Sequence, residues 1–273
     1  MGNPIAHSKS PSIHAIFARQ TGELIEYGRI LARPDGFAQA VQEFISAGGR
    51  GLNVTVPFKL EAHALATQRS ARADAAGAVN TLRFDRVDGG CVEIFGDNTD
   101  GVGLVTDINA QSHTAISGAR VLLLGAGGAA RGVILPLLER RPSALTIVNR
   151  TAARAAGLLE HFAGQARAAA CELTGGAPGV EHGVYDIVIN ATAGSLEAAV
   201  PAFSATGVGP GTLAYDMMYA AQPTVFMRHA ARLGARTADG LGMLVGQAAE
   251  SFFVWRGVRP DPAPALAALR ASL

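Results

Sequence analysis

Four short polar clusters in this chain carry side chains able to hold and protonate a small, oxygen-rich molecule: Ser8-Lys9-Ser10, Asn53-x-Thr55-x-x-x-Lys59, Asn80-Thr81 and Asn98-Thr99-Asp100. They supply hydroxyls, amides, the ammonium of Lys59 and the carboxylate of Asp100. An ammonium set beside a carboxylate can carry proton traffic to a carbinol oxygen. Serine hydroxyls at a helix start, next to unpaired backbone N–H groups, make a seat for a carboxylate. The inventory suits a small, polyhydroxylated, anionic ligand. Taken singly, each residue also has a plainer use: Ser10 as a helix cap, Asn80 as a turn filler, Lys59 as a solvated charge.

These clusters need elements to hold them. Residues 10-SPSIHAIF-17 read as a helix start, with Ser10 as N-cap, Pro11 at the first helical position and an apolar stripe of Ile13, Ile16 and Phe17. Phe37, Val41, Phe44 and Ile45 make a second helical stripe, stopped at Gly48-Gly49. In 52-LNVTVPFK-59 the period is two: Leu52, Val54 and Val56 face a core, while Asn53 and Thr55 face the other way. Pro57 ends that strand and opens a helix, which places Lys59 in its first turn. Residues 79–84 and 91–95 form a hairpin across Asp88-Gly89-Gly90, and 96-GDNTDG-101 reads as a loop.

A second unit opens on the continuous apolar strand 121-VLLL-124. Further strands follow at 145-LTIV-148, 185-YDIVIN-190 and 213-LAYDM-217, alternating with helices; 243-MLVGQAAESFFVW-255 reads as a long helix closing the chain. Between the first strand and its helix lies 125-GAGGAARG-132. Gly125, Ala126, Gly127, Gly128 and Ala129 match G-x-G-x-x-G/A in the required strand–turn–helix setting, where backbone N–H groups meet a pyrophosphate. The next strand ends in 149-NRTAAR-154 with no acid to hold ribose hydroxyls. Arg150 and Arg154, flanked by Asn149 and Thr151, suit a 2′-phosphate and favour NADP over NAD.

The whole chain agrees with a globular α/β enzyme. It has 273 residues, is 49% hydrophobic and 16% charged, and so can bury a sizeable core. Its 23 Lys and Arg against 22 Asp and Glu leave +1, which gives no argument for nucleic acid. The cysteines, Cys91 and Cys171, lie far apart without metal-ligand spacing, so a reducing cytoplasm is expected and no metal. No apolar run approaches a membrane span of about 20 residues.

Seven motifs in order, GNPIAHSKSP, NVTVPFK, GAVNT, GDNTDG, GAGGA, NRT and DGLGMLVGQAA, resemble the shikimate dehydrogenase family from Gly2 to about Pro262. The resemblance implies a two-domain α/β fold. Residues 1–103 and 241–273 would form a substrate-binding domain, 104–240 a Rossmann-type NADP-binding domain, with the active site in the cleft between them. It implies NADP-dependent interconversion of 3-dehydroshikimate and shikimate in chorismate and aromatic amino acid biosynthesis, with hydride delivered to the C3 carbonyl.

Carried over residue by residue, the resemblance gives Ser8 and Ser10 to the substrate carboxylate, with Tyr219 close by. Asn53 and Thr55 lie beside the ring, and Asn80, Asp100 and Gln247 bind ring hydroxyls. Lys59 is the acid/base, paired with Asp100. Gly125 to Ala129 hold the pyrophosphate and Asn149 to Arg154 the adenosine phosphate. Thr192, Met217 and Gly240 border the nicotinamide. Two departures stand out. Only Met1 precedes Gly2, where the family usually has a strand, so either the start is truncated or placed late, or the first sheet's edge is altered. In 190-NATAGSLEAAVP-201 the glycine comes one position earlier than in the common form. Alternatives are a quinate/shikimate paralogue using NAD or NADP, and a non-catalytic NADP-binding sensor. The chain is expected to act as a monomer or homodimer.

Overall fold

The computed structural model describes residues 1–87, 91–111, 114–192, 194 and 199–273. The chain divides into two compact units, Met1–Asp100 with Val245–Ser272, and Gly101–Leu244 with Leu273.

The first unit is built on a four-stranded sheet of β1 (Gly51–Asn53), β2 (Gln68–Arg69), β3 (Thr81–Arg86) and β4 (Val92–Asp97) in the order β1-β3-β4-β2. β3 pairs antiparallel with β1 and β4, while β2 runs parallel to β4. The register places Asn53 opposite Thr81, and Thr81 opposite Asp97. Polar residues from three strands thus meet at one end of the sheet. Helices α1 (Ser10–Thr21), α2 (Phe37–Ser46), α3 (Lys59–Leu65) and α4 (Ala71–Ala76) belong to this unit. Its core joins Phe37, Val41, Leu52, Val54, Phe58, Leu82 and Phe84, each worth about 1.5–3 kcal/mol by burial.

The second unit is a six-stranded parallel sheet of β5 (Arg120–Leu124), β6 (Ala144–Val148), β7 (Glu172–Gly176), β8 (Ile187–Asn190), β9 (Leu213–Asp216) and β10 (Arg236–Asp239). Its order is β10-β9-β8-β5-β6-β7, all neighbours parallel. The chain runs outward from β5 to β7, returns beside β5 and runs outward again. That reversal is the Rossmann-type switch point at which such sheets bind ligands. Leu122, Leu124, Val148, Val188 and Ala214 share its core with Phe226. Around the sheet lie α5 (Asp100–Gln111), α6 (Gly128–Glu139), α7 (Ala152–Ala168) and α8 (Val225–Arg232). Then come α9 (Leu241–Arg256) and α10 (Pro262–Ala271). No helix among the described residues is long and apolar enough to cross a membrane.

Several local expectations change. Ser10 is the first residue of α1, not its cap; Lys9 takes the cap position without a side-chain bond, and the Ser8 hydroxyl accepts from Ser10 N at 3.3 Å. The strand stops at Asn53, and Val56 is 67% exposed, because residues 56–58 turn ahead of α3. Gly96 and Asp97 belong to β4, while Asp100 opens α5, so the segment 96–101 is mostly element ends. The chain continues past α9 into α10, capped by the Asp261 carboxylate at Ala263 N. The tip 88–90 lies outside the described residues, as do Ala193 and residues 195–198 of the segment with the displaced glycine. At the start of the chain, Gly2 bridges Leu31 in parallel and Thr55 N donates to Met1 O, so residues 1–2 run beside the segment that follows β1.

Candidate active site

In the first unit, Lys59 is the opening residue of α3 and Asp100 the opening residue of α5. Lys59 Nζ donates to Asp100 Oδ2 at 2.5 Å, with both side chains partly exposed. A partly exposed ion pair adds little stability, so its interest is chemical. Asp100 Oδ1 accepts from Asn80 Nδ2 at 2.8 Å.

The Asn80 amide can face only one way. Thr99 N, a donor and nothing else, gives to its Oδ1 at 2.9 Å, while the carboxylate of Asp100 takes its Nδ2. The Nδ2 also reaches Gln247 Oε1 at 3.4 Å, and Thr99 Oγ1 meets the same oxygen at 3.4 Å. Gln247 therefore turns its oxygen toward Asn80 and Thr99, and its Nε2 away from them. Asn80, Thr99, Asp100, Lys59 and Gln247 form one continuous array of donors and acceptors around a carboxylate–ammonium pair.

A second layer braces this array. Arg72 donates to Asp97 through Nε at 2.7 Å and through Nη2, and Nη2 also reaches Glu250 at 3.0 Å. Glu250 in turn accepts from Arg259 at 2.5 Å. Asp97 and Glu250 are nearly fully buried, and a buried carboxylate is tolerable only when paired like this. The brace ties the end of β4, which leads to Asp100, to the helix that carries Gln247.

Ser8 and Ser10 sit together, their hydroxyls 3.2 Å apart, at the N-terminus of α1. Arg29 holds the loop by donating twice to Ser8 O, at 3.1 and 2.6 Å. Tyr27 donates to Asn53 Oδ1 at 2.8 Å. Burial pushes the Tyr27 phenol well up, so it stays protonated. Asn53 is surrounded by protein groups, including Ser251 Oγ at 2.9 Å. Thr55 is half-buried beside Gly2, and its hydroxyl has no partner among the described residues. Tyr27, His14 and Ser251 escaped the sequence reading. Ser251 lies one helical turn beyond Gln247 on the same face, a signal that was there to find. Tyr27 sits in an irregular stretch with no periodicity to mark it.

In the second unit, the expected residues gather at the carboxyl ends of the strands. Asn190, closing β8, accepts from Thr192 N at 3.0 Å and Thr192 Oγ1 at 2.7 Å, and donates to Asp216 at 3.1 Å. Asp216, fully buried, also accepts from Met218 N at 3.1 Å and Thr224 Oγ1 at 2.6 Å. This junction sets the path of Met217, Met218 and Tyr219. Gly240 presses against it so closely that a Cβ would collide with the Met217 carbonyl. Tyr219 is part of this unit, and burial raises its phenol.

The glycine-rich turn fits a dinucleotide phosphate. Gly125 has φ +110°, open to glycine at little cost. Gly127 and Gly128 have open space where a Cβ would stand, and no side chain caps α6. The α6 N-terminus is thus left to an anion. At the end of β6, Asn149 Nδ2 donates to Thr151 O at 2.9 Å, shaping the turn into α7. Arg150 and Arg154 are exposed, without an ion pair or side-chain hydrogen bond among the described residues. Two unpaired cations beside a carboxylate-free strand end fit a phosphate.

Comparison with known proteins bears on all of this. Residues 1–82 match the model of the shikimate dehydrogenase substrate binding domain. Residues 107–200 match that of shikimate / quinate 5-dehydrogenase, and 240–270 that of the shikimate 5'-dehydrogenase C-terminal domain. A shikimate dehydrogenase (NADP(+)) of Cupriavidus necator is 57% identical over 278 residues, covering all of this chain and 92% of that protein. The crystal structure of an Ael1 enzyme from Pseudomonas putida is 44% identical with TM-score 0.90, covering 98% of this chain and 96% of that one. The shikimate 5-dehydrogenase of Thermus thermophilus, in complex with NADP(H) and shikimate, is 32% identical with TM-score 0.84, covering 100% and 97%.

Proposed function

The chain belongs to the shikimate dehydrogenase family, and from that premise we propose that it reversibly reduces 3-dehydroshikimate to shikimate with NADPH, on the route to chorismate and the aromatic amino acids. The observation that carries the reading is the Lys59–Asp100 pair at 2.5 Å, flanked by the fixed amide of Asn80. A non-catalytic sensor would have no use for that pair.

Each residue has a task in this reading. Ser8 and Ser10 seat the carboxylate at the α1 N-terminus, Thr55 offers its hydroxyl to the ring, and Tyr219 is a further substrate ligand. Asn80 and Gln247 hold ring hydroxyls. Lys59 gives its proton to the C3 oxygen during reduction and takes it back during oxidation. Asp100 keeps the ammonium aimed and orients the neighbouring hydroxyl. Gly125 to Ala129 hold the pyrophosphate, Asn149 to Arg154 the adenosine 2′-phosphate, and Thr192, Met217 and Gly240 border the nicotinamide. NADPH, when bound, supplies the hydride; the protein supplies position and charge. We place the activity in the cytoplasm.

The test is a steady-state assay of nicotinamide reduction with shikimate and with quinate, each with NADP and NAD. The reading requires shikimate with NADP to give the highest kcat/KM of the four. Absence of turnover with every pair, by folded protein, would sink it.

A further inference from the structure

We infer that Asn53 is a positioning residue of the reaction and not a substrate ligand. An asparagine amide offers two acceptor lone pairs on Oδ1 and two donor hydrogens on Nδ2. In this structure protein groups take all four. Oδ1 accepts from the Tyr27 hydroxyl at 2.8 Å and meets His14 Nε2 at 3.3 Å. Nδ2 donates to Ser251 Oγ at 2.9 Å and to Thr81 Oγ1 at 3.2 Å, with Asn80 O a longer contact at 3.4 Å. These partners come from α1, the segment after it, the start of β3 and α9. No hydrogen-bonding capacity is left for a ring hydroxyl.

What Asn53 supplies is a pair of donors to a shared hydroxyl cluster. Its Nδ2 gives to Thr81 Oγ1 and to Ser251 Oγ, which lie 2.7 Å apart. Ser251 spends its own hydrogen on Gln247 O at 2.9 Å, so its oxygen is left to accept. Thr81 Oγ1 also reaches Asn80 Oδ1 at 2.9 Å, and both hydroxyls reach Thr99 Oγ1, at 3.5 and 3.2 Å. Remove the Asn53 amide and both hydroxyls lose a donor, so Thr81, Ser251 and Thr99 have to share their hydrogens differently around Asn80. Asn80 is the residue whose Nδ2 orients Asp100, so the loss is felt at the Lys59–Asp100 pair.

This inference rests on the reading of Asn80 as a group that works on the substrate, and one double-mutant cycle separates the two. Asn53→Ala, Asn80→Ala and the double variant are assayed for kcat and for KM of both shikimate and NADP, with thermal midpoints measured alongside. Asn53→Ala should lower kcat about tenfold while KM for NADP stays within about twofold. In the Asn80→Ala background the same substitution should change kcat by less than about twofold, because its route to the reaction is gone. A full tenfold loss persisting in that background overturns the inference; so does a lowered thermal midpoint with unchanged kcat. If Asn80→Ala alone leaves kcat/KM intact, the reading of Asn80 fails instead. Should Asn53→Ala not fold, Ser251→Ala enters the same cycle with the same two deciding outcomes.

Discussion

The two units hold their proposed functional groups by opposite means. In the first, the proposed working groups are side chains, each held by other side chains: Lys59 by Asp100, Asp100 by Asn80, Asn80 by Thr81 and Thr99. In the second, the proposed working surface is backbone. Gly125, Gly127 and Gly128 expose main-chain groups at a helix start, and two arginines project with nothing holding them among the described residues. A ring bearing several hydroxyls has to be read at many points at once, which a preset polar array can do. A phosphate needs donors and charge, and an open N-terminus with long cationic arms provides both. Damage should follow the same division: subtraction breaks the first unit, and addition breaks the second.

Lys59→Ala should give the largest effect. Turnover should fall by about 10²-fold or more, while fluorescence titration with NADPH gives an unchanged affinity; equal losses in both would erase the distinction between units. Next comes Gly240→Ala, which forces a Cβ onto the Met217 carbonyl. It should cost about 1–3 kcal/mol of stability by overpacking, and weaken NADP binding in the same titration. Replacing Arg150 and Arg154 together by Ala should shrink the kcat/KM preference for NADP over NAD by about tenfold, with kcat for shikimate little changed. A preference that survives intact would assign the 2′-phosphate to other residues.

The smallest effect at neutral pH belongs to His14. Burial depresses its pKa to about 3, from an ordinary 6.5, while its Nδ1 lies buried without a partner among the described residues. The unfolded chain therefore takes up a proton below pH 6.5 that the folded chain refuses. Stability from keeping His14 neutral is complete above 6.5 and is lost as pH falls toward 3. Urea midpoints between about pH 7 and about pH 5.5 should record a loss of about 1 kcal/mol. His14→Phe should flatten that slope, and an unchanged slope would put the titration elsewhere.

How much of this was written legibly in the sequence depended on the kind of signal. β5, β6, β8 and β9 are apolar runs, buried on both faces, and could be read directly. β7 and β10 could not: as sheet edges they hold exposed and half-buried positions, with Asp239 alone buried, so no apolar run marks them. Lys59, Asn80 and Asp100 stood out by motif and spacing. Tyr27 and Ser251 did not, since their importance lies in touching Asn53, a contact made across 26 and 198 positions of chain. Val56 misled the alternation because Pro57 turns the chain before the strand can use it.

The first unit is interrupted: its sheet is finished by Asp100, but Gln247 and Ser251 arrive with the segment that begins at Val245. During synthesis, at roughly 5–20 residues per second, on the order of ten seconds pass between the two. Throughout that interval Asn53, Thr81 and Thr99 stand beside a place not yet filled. The second unit can close in the meantime, since nearly all of its residues have left the ribosome first. The Lys59–Asp100 pair is therefore encoded early, while the contacts of Gln247 and Ser251 around it are assembled late, and the growing chain holds a nearly complete six-stranded parallel sheet before it holds the finished polar array.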